Sequence, residues 1–194
     1  MRNLFRELFH VSSPVEETYN APSPGDLPEI IERTCQRCVW HVRTKSGKPT
    51  YMRIDRPNNP DADFFVVVVD AERLYRLWRH SPHSLIKCPL RSEIPSYRKL
   101  ERIDEIFAQG LCSPVSLSHI STDTFAGGEE INIDDGATRA MWLLANGAKA
   151  FPVQTWYSDP AEKMNALIGC GLPVQAATSL LAPLHAATVN PKWL

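Results

Sequence analysis

The chain has 194 residues, of which 43% are hydrophobic and 22% are charged, and its formal net charge is -1 at pH 7. This composition suits one domain with a proper core and ragged ends, and it excludes bulk attraction to nucleic acid, so any DNA contact must come from a local patch. No window of about 18 apolar residues and no signal-peptide pattern occurs, so we expect a cytoplasmic protein with no integral membrane segment.

The first 26 residues are predicted to form an N-terminal arm or linker. Leu4, Phe5, Leu8 and Phe9 indicate a short amphipathic helix, either a partner-docking element or a piece folded back on the core. The following stretch, VSSPVEETYNAPSPGD, is rich in proline and lacks an apolar pattern. We therefore place a single domain at 27–194, with C-terminal helices at 158–194.

Residues 27–70 are predicted to form an antiparallel hairpin that leads into a third strand. The segments CVWHVRT and TYMRID both alternate, and SGKP between them supplies a turn. RPNNPDAD is a strong loop signal, and FFVVVVD after it is typical of a buried strand. We expect the hairpin to serve mainly as scaffold.

The five cysteines offer only a partial metal pattern. Cys35 and Cys38 form one CxxC pair, while Cys88, Cys112 and Cys170 are isolated in the sequence. No second CxxC pair or nearby histidine pair completes a four-ligand zinc site, and His41 is the only adjacent histidine. We expect ordinary reduced thiols, with a structural zinc or redox role as the alternative.

The segment AERLYRLWRH is predicted to be a helix with arginines along one side. Arg73, Arg76 and Arg79 recur at a spacing of three, next to aromatic residues. Such a stripe can track a phosphate backbone, so we predict DNA binding there and at Arg98 further along the chain. A solvated basic face is the alternative.

The segment YRKLERIDEIFAQG is the clearest amphipathic helix, with Ser96 as its predicted N-cap. SPVSLSHIST and then INIDD are predicted strands. Glu129, Glu130, Asp134 and Asp135 put four carboxylates in seven residues, which could hold Mg²⁺. Alternatively, this cluster caps the next helix and balances Arg139.

A tight turn at Gly136 connects the INIDD strand to a helix that starts near Thr138. The helix ends at Asn146-Gly147, and a strand with Pro152 near its start follows it. A glycine before a helix, free first-turn N-H groups and Arg139 together suit an anion such as phosphate. Alternatively, Arg139 pairs with Asp134 or Asp135 as a structural bridge.

Two helices are predicted after the Pro152 strand. YSDPAEKMNALIG has Ser158 or Asp159 as a cap and Pro160 at the first position, and PVQAATSLLAPLHAAT forms a short apolar helix.

The elements around the Gly136 turn follow a recognisable order: a strand, DGATRA, an apolar helix, NGA and a proline-containing strand. This order resembles the ParB/sulfiredoxin superfamily. Its signature is a glycine, a variable residue, a histidine and an arginine. The resemblance extends upstream to about Asp61, which implies a signature core at about 61–157. DDGATRAMW and the GDLPEI opening at Gly25 to Ile30 are most similar to plasmid-encoded fertility-inhibition proteins of the Osa and FiwA type. The implied fold is α+β and ParB/Srx-like: a small mixed sheet flanked by helices, with the hairpin as an N-terminal extension.

The resemblance also implies roles for site residues. Lys99 best matches a basic residue that the superfamily directs at nucleotide phosphates, and Arg102 lies one turn on. Ala137 stands where sulfiredoxins need a cysteine, so reductase chemistry is not expected. Thr138 replaces the histidine and cannot act as an acid or base near neutral pH. The implied phosphate-binding residues are Gly136, Ala137, Thr138, Arg139, Lys99 and Arg102.

The function implied by the resemblance is that of an ATP hydrolase and Mg²⁺-dependent DNase that blocks DNA transfer through a conjugative type IV secretion system. The implied catalytic residues are Arg139, Asp135 and Asp134, and the implied metal ligands are Asp134, Asp135 and Glu130. The expected partners are the transferred DNA or its protein complex and the secretion coupling protein, at the inner face of the membrane.

Two other functions are compatible with the sequence. A non-catalytic module could inhibit transfer by occupying the coupling protein or its nucleoprotein substrate. A nucleotide-gated DNA clamp, as in partition proteins, is less expected. The sequence after the signature is too short for the C-terminal modules that those proteins carry.

Overall fold

The computed structural model describes residues 19–57, 59, 64–125 and 128–183, which form two mixed β-sheets and five α-helices. The strands are β1 (Glu29–Arg33), β2 (Arg37–Val42), β3 (Thr50–Asp55), β4 (Phe64–Asp70), β5 (Val115–Ser116), β6 (Ser118–Phe125), β7 (Gly128–Asp135), β8 (Ala150–Trp156) and β9 (Gln175–Ala176). The helices are α1 (Ala71–Arg79), α2 (Leu100–Phe107), α3 (Ala137–Ala145), α4 (Ser158–Ile168) and α5 (Ala177–Leu180). The prediction of a mixed α+β fold is confirmed, whereas its ParB/Srx-like form stays a prediction.

The first sheet has the strand order β1-β2-β3-β5. The predicted hairpin is confirmed, because β2 and β3 pair antiparallel from Arg37 opposite Asp55 to Val42 opposite Thr50. β1 was not predicted, since its EIIER sequence is half exposed and lacks a strong alternation. β5 adds to β3 in parallel and belongs to this sheet, although β6 begins only two residues later in the other sheet.

The second sheet has the order β7-β6-β8-β4-β9 and positions the candidate site. β4 and β8 pair antiparallel over seven residues, β6 and β7 form a hairpin, and β6 runs parallel to β8. Pro152 lies in a central strand rather than at an edge. Pairing of β8 with β6 starts at Val153, so the proline is not required to donate to β6.

The core is one cluster of buried residues from both sheets and from the helices that pack on the second sheet. Val67 and Val69 of β4, Ile120 of β6 and Ile133 of β7 are at most 1% exposed. α4 packs against β4, and α1 packs against α4 and β7. The alternation of buried and half-buried residues along β6 and β7 leaves the opposite face of these strands partly open.

Three helix starts differ from the sequence predictions. α2 begins at Leu100, because Ser96 belongs to a separate 3₁₀ turn and Lys99 is the N-cap residue. α4 begins at Ser158 with Tyr157 as its N-cap, so neither predicted cap is correct. Pro160 is therefore the third helical residue. α3 starts at Ala137, one residue before the predicted Thr138.

The end of the predicted arm lies against α1. The Tyr19 hydroxyl donates to the Asp70 carboxylate, and the Arg73 guanidinium lies 5.5 Å from the centre of the Tyr19 ring. The predicted helix at Leu4 to Phe9 and most of the tail after Leu181 lie outside the described residues. Among the residues that are described, no helix is both long and apolar enough to cross a membrane.

Candidate functional site

The turn between β7 and α3 has the geometry that the sequence predicted. Gly136 is in the left-handed region at φ 80° and ψ 20°, and its carbonyl accepts from the Ser118 hydroxyl at 3.0 Å. No side chain caps the first turn of α3. The first-turn N-H groups, including those of Ala137, Thr138 and Arg139, have no acceptor within the helix and are available to an anion.

Arg139 lies directly over this turn. Its Nη1 donates to the Ser116 hydroxyl at 2.8 Å and its Nη2 to the Asp135 carboxylate at 2.5 Å, while its Nε is buried without a partner among the described groups. The side chain is 15% exposed. The predicted ion pair of Arg139 with a neighbouring aspartate is therefore present and is made with Asp135, and Ser116 from β5 holds the other side of the guanidinium.

The predicted metal ligands are not brought together. Asp134 accepts hydrogen bonds from Asn132 at 2.8 Å and Ser121 at 3.1 Å, and Asp135 faces Arg139. Glu130 is four residues from Asp134 along β7, a separation of about 13 Å in an extended strand. Across the described ranges, no group of three or more His, Cys, Asp or Glu side chains is arranged to hold a metal. A three-carboxylate Mg²⁺ site therefore does not fit this structure.

Glu130 instead holds the loop after α1. Its carboxylate is buried and hydrogen bonds to the His83 ring Nδ1 at 2.7 Å and to the His83 backbone N-H at 3.0 Å. Burial alone raises the pKa of this carboxyl, but the hydrogen bonds from His83 keep it below its usual range. The sequence contained no signal for this pair, because 47 residues separate the two partners.

Lys99 and Arg102 are exposed on α2. α2 packs on α3 through a stacked pair, Phe107 and Trp142, with ring centres 4.0 Å apart, and the Trp142 indole N-H donates to Asp104 at 3.2 Å. The hydrogen bonds of the Arg139 side chain go to Ser116 and Asp135 rather than to any group of α2. Convergence of Lys99 and Arg102 with Arg139 on one anion stays a prediction.

The predicted arginine stripe exists on α1, but its members make contacts within the protein. Arg73 lies 4.0 Å from Asp70, Arg76 pairs with Glu72 at 2.8 Å, and Arg79 donates to the Cys88 carbonyl at 2.7 Å. Arg98 is exposed just before α2. A cavity of about 330 Å³ lies beside the stripe, with Tyr19, Lys45, Asp70, Arg76, Arg91 and Lys149 among its lining residues.

A group of rings that the sequence analysis did not single out lies near the turn. His119 contacts Phe64 and Trp156 edge-on, with ring centres 6.3 and 5.4 Å apart, and Trp156 also packs on Phe64 at 4.0 Å. His119 Nδ1 is 3.9 Å from Asp134. Burial lowers the pKa of the His119 imidazole, and the charges of Asp134 and Asp135 offset part of this effect.

None of the five cysteines forms a disulfide bond in this structure. All five are free, and burial raises the pKa of Cys38 to about 11 and those of Cys88 and Cys170 to about 12. These three thiols are therefore protonated at neutral pH. The CxxC pair joins no zinc cluster within the described part of the chain.

Comparison with known families identifies the chain. The sequence profile of the plasmid fertility inhibition factors matches residues 66–169, more than half of the 194 residues. The chain belongs to this family. The matched segment of this fertility inhibition factor begins in β4 and ends just after α4, so it contains the arginines of α1, the Gly136 turn, His119 and Trp156.

Individual relatives agree with the family match. Protein osa of Shigella flexneri is 29% identical over 155 residues, which cover 79% of this chain and 80% of that protein. A crystal structure of the Oncogenic Suppression Activity Protein, a plasmid fertility inhibition factor in its gold(I) cyanide derivative, superposes with a TM-score of 0.68. That protein is 28% identical, over 79% of this chain and 80% of its own. The predicted likeness to Osa-type proteins is confirmed, whereas membership of the ParB/sulfiredoxin superfamily stays a prediction.

Proposed function

We propose that this protein inhibits plasmid fertility by blocking DNA transfer through a conjugative type IV secretion system. Its membership of the fertility inhibition factors supports this proposal. The proposed partners are the transferred DNA or its protein complex and the coupling protein of the secretion system. The protein would meet both in the cytoplasm, at the inner face of the membrane.

The proposed mechanism is hydrolysis of ATP and cleavage of DNA at the start of α3. The observation that carries it is the uncapped first turn of α3 with the Arg139 guanidinium held over Gly136. Backbone N-H groups at Gly136, Ala137 and Thr138 would bind phosphate oxygens. Arg139 would neutralise the negative charge that develops on the transferred phosphoryl group.

For this role, Arg139 must exchange part of its present pairing for the phosphate. Asp135 is 74% exposed on its side chain, so opening its ion pair with Arg139 costs little. The hydrogen bond from Nη1 to Ser116 remains, so this side of the guanidinium stays in place while Nη2 turns toward a ligand. The released Asp135 carboxylate, with Asp134 beside it, would orient the attacking water.

Mg²⁺ enters this proposal as the counterion of the ATP and DNA phosphates. The described residues do not assemble a three-carboxylate site, so no catalytic step is assigned to a protein-bound metal. Lys99 and Arg102 are proposed to approach the phosphates from α2, and Arg73, Arg76, Arg79 and Arg98 are proposed to contact DNA.

The test measures phosphate release from ATP and nicking of supercoiled plasmid, each with Mg²⁺ or EDTA, for the wild type and for Arg139→Ala. A matched control is Arg37→Ala, because Arg37 also forms a close ion pair, with Glu32 at 2.6 Å, but lies in the first sheet. We expect both activities to need Mg²⁺ and to fall at least about tenfold only in Arg139→Ala, a loss of ~1.4 kcal/mol of transition-state stabilisation. Equal rates for the two variants would refute the proposed active site.

A second candidate function is a non-catalytic module that occupies the coupling protein or its nucleoprotein substrate. The observation that favours it is the internal pairing of Arg139, which already gives this residue a structural role. In a conjugation assay, this function predicts that a folded Arg139→Ala variant still inhibits transfer. Substitutions of the exposed arginines of α1 would abolish inhibition instead.

A further inference from the structure

A continuous row of side chains crosses four strands of the second sheet on its partly open face. Asp135 of β7 lies opposite His119 of β6, and Trp156 of β8 lies opposite Phe64 of β4. His119 is in register with Gln154, two residues before Trp156, so these side chains share one face. The ring contacts of His119 with Trp156 and Phe64 join the two halves of the row.

The aromatic end of this row is open to solvent. Trp156 is 40% exposed and Tyr157 is 65% exposed, and their ring centres are 6.5 Å apart. Two neighbouring, partly exposed rings offer a flat apolar surface that a ligand can cover. Phe64 supports the inner side of the Trp156 ring at 4.0 Å, which holds the indole in place.

The backbone that presents Tyr157 is strained. At φ 63° and ψ 153°, this residue occupies a conformation that is almost restricted to glycine, at a cost of about 1–3 kcal/mol. Among the described residues it is the only non-glycine with positive φ. Such outliers occur most often at binding sites, because the surrounding structure holds a side chain where a ligand needs it.

Polar groups lie beside these rings. The His119 Nε2 atom is buried and has no hydrogen-bond partner among the described groups, and Gln154 is half-buried on the same face. Flat aromatic surface next to a few polar groups suits a planar heterocycle, which can stack on the rings and hydrogen bond through its edge. A purely aliphatic ligand would leave these polar groups unsatisfied.

The row also leads to the candidate phosphate site. Two strand spacings, about 10 Å, separate β7 from β8, and Asp135 at the β7 end bonds to Arg139. A nucleotide can span this separation with its phosphate at the start of α3 and its base at Trp156. We propose that Trp156 and Tyr157 form a stacking site for a nucleobase, an inference that rests on the nucleotide and DNA substrates of the proposed function.

Free ATP and single-stranded DNA both carry a base attached to a phosphate, so either can supply the ligand of this site. One arm of the test therefore measures binding of a non-hydrolysable ATP analogue against tripolyphosphate, which carries phosphates without a base. The other arm compares a labelled single strand of about 12 nucleotides with an abasic strand of the same length. Each arm uses wild type, Trp156→Ala, Tyr157→Gly and the control Leu90→Ala, since Leu90 is 48% exposed but lies outside the row.

We expect Trp156→Ala and Tyr157→Gly to weaken binding at least about tenfold for the base-bearing probe and to leave the base-free probe unchanged. The arm in which this occurs identifies the source of the base. Tyr157→Gly should keep the fold, because glycine adopts this backbone conformation without strain. The Leu90→Ala variant should bind both probes as the wild type does.

The stacking site is overturned if wild type binds base-bearing and base-free probes equally, or if Leu90→Ala weakens binding as much as Trp156→Ala. The proposal is also overturned if Trp156→Ala no longer inhibits DNA transfer but still binds the base, because this result indicates a protein-docking surface. Failure of the proposed enzymatic function gives a different result. If the protein binds the base but releases no phosphate from ATP, the stacking site is supported and only the proposed catalysis is refuted.

Discussion

The guanidinium of Arg139 lies against the backbone of Gly136, so closely that a Cβ added to Gly136 would fall 2.5 Å from Nε and 2.8 Å from Cζ. The glycine therefore meets two requirements, a positive φ and room for the arginine that follows three residues later. This contact links the shape of the turn to the position of its charge.

Gly136→Ala is expected to displace Arg139 and weaken its bonds to Ser116 and Asp135. Gly171→Ala is a matched control, because Gly171 has φ 78° but no atom within 4 Å of an added Cβ. Both variants should lose about 1–2 kcal/mol from the left-handed backbone, and Gly136→Ala should lose about 1 kcal/mol more from the disrupted hydrogen bonds. Urea unfolding of both variants measures the difference, and equal losses would show that the contact has no energetic role.

Tyr157→Gly is expected to raise the stability of the protein. Relief of the backbone strain raises the free energy of unfolding by about 1–3 kcal/mol. The greater freedom of glycine in the unfolded chain lowers it by about 0.5–1 kcal/mol. Tyr157→Ala, which keeps the strain and removes the same ring, is the matched comparison. The urea midpoint should be higher for the glycine variant than for the alanine variant, and the reverse order would contradict the strained conformation.

The pair of Glu130 and His83 predicts how stability depends on pH. Because the folded-state pKa of Glu130 lies below its usual value of about 4.3, ionised Glu130 stabilises the fold above that pH, and the contribution is lost as the pH falls through the folded pKa. The difference in unfolding free energy between wild type and Glu130→Gln should therefore be largest near neutral pH and shrink below about pH 4.

Glu105→Gln serves as the control for this pH series, since Glu105 is exposed on α2. Its stability relative to wild type should stay almost constant over the same range. A Glu130→Gln curve that runs parallel to wild type from pH 7 to about pH 3 would contradict the role of the His83 contact.

Thiol labelling should separate the five cysteines by burial. Cys112 is exposed and should react first with an aromatic disulfide reagent at pH 8, whereas burial and raised pKa values protect Cys38, Cys88 and Cys170. Cys112→Ser should remove the fastest phase, and all five thiols should react in urea. Rapid labelling of a buried thiol in the folded protein would contradict the packing around it.

Local patterns in the sequence were sufficient for most of the elements. The alternation in β2 and β3, the β-branched run of β4 and the helical spacing in α1 and α3 predicted them correctly, because each pattern depends on neighbours a few residues apart. Helix starts were less predictable. Ser96 and Ser158 both have cap-forming side chains, but the N-cap residues of α2 and α4 are Lys99 and Tyr157.

The candidate site shows the same division. By itself, the sequence determined the Gly136 turn, the helix that follows it and the nearness of Arg139 to Asp134 and Asp135, since all of these lie within about one turn of chain. Only the tertiary structure decided that Ser116 holds Arg139, that Glu130 turns away to His83, and that His119 and Trp156 meet. The contact of His119 with Trp156 depends on β6 lying beside β8, and the contacts of Ser116 with Arg139 and of Glu130 with His83 join residues 23 and 47 positions apart. Packing between distant segments creates all three contacts, and no local pattern encodes it.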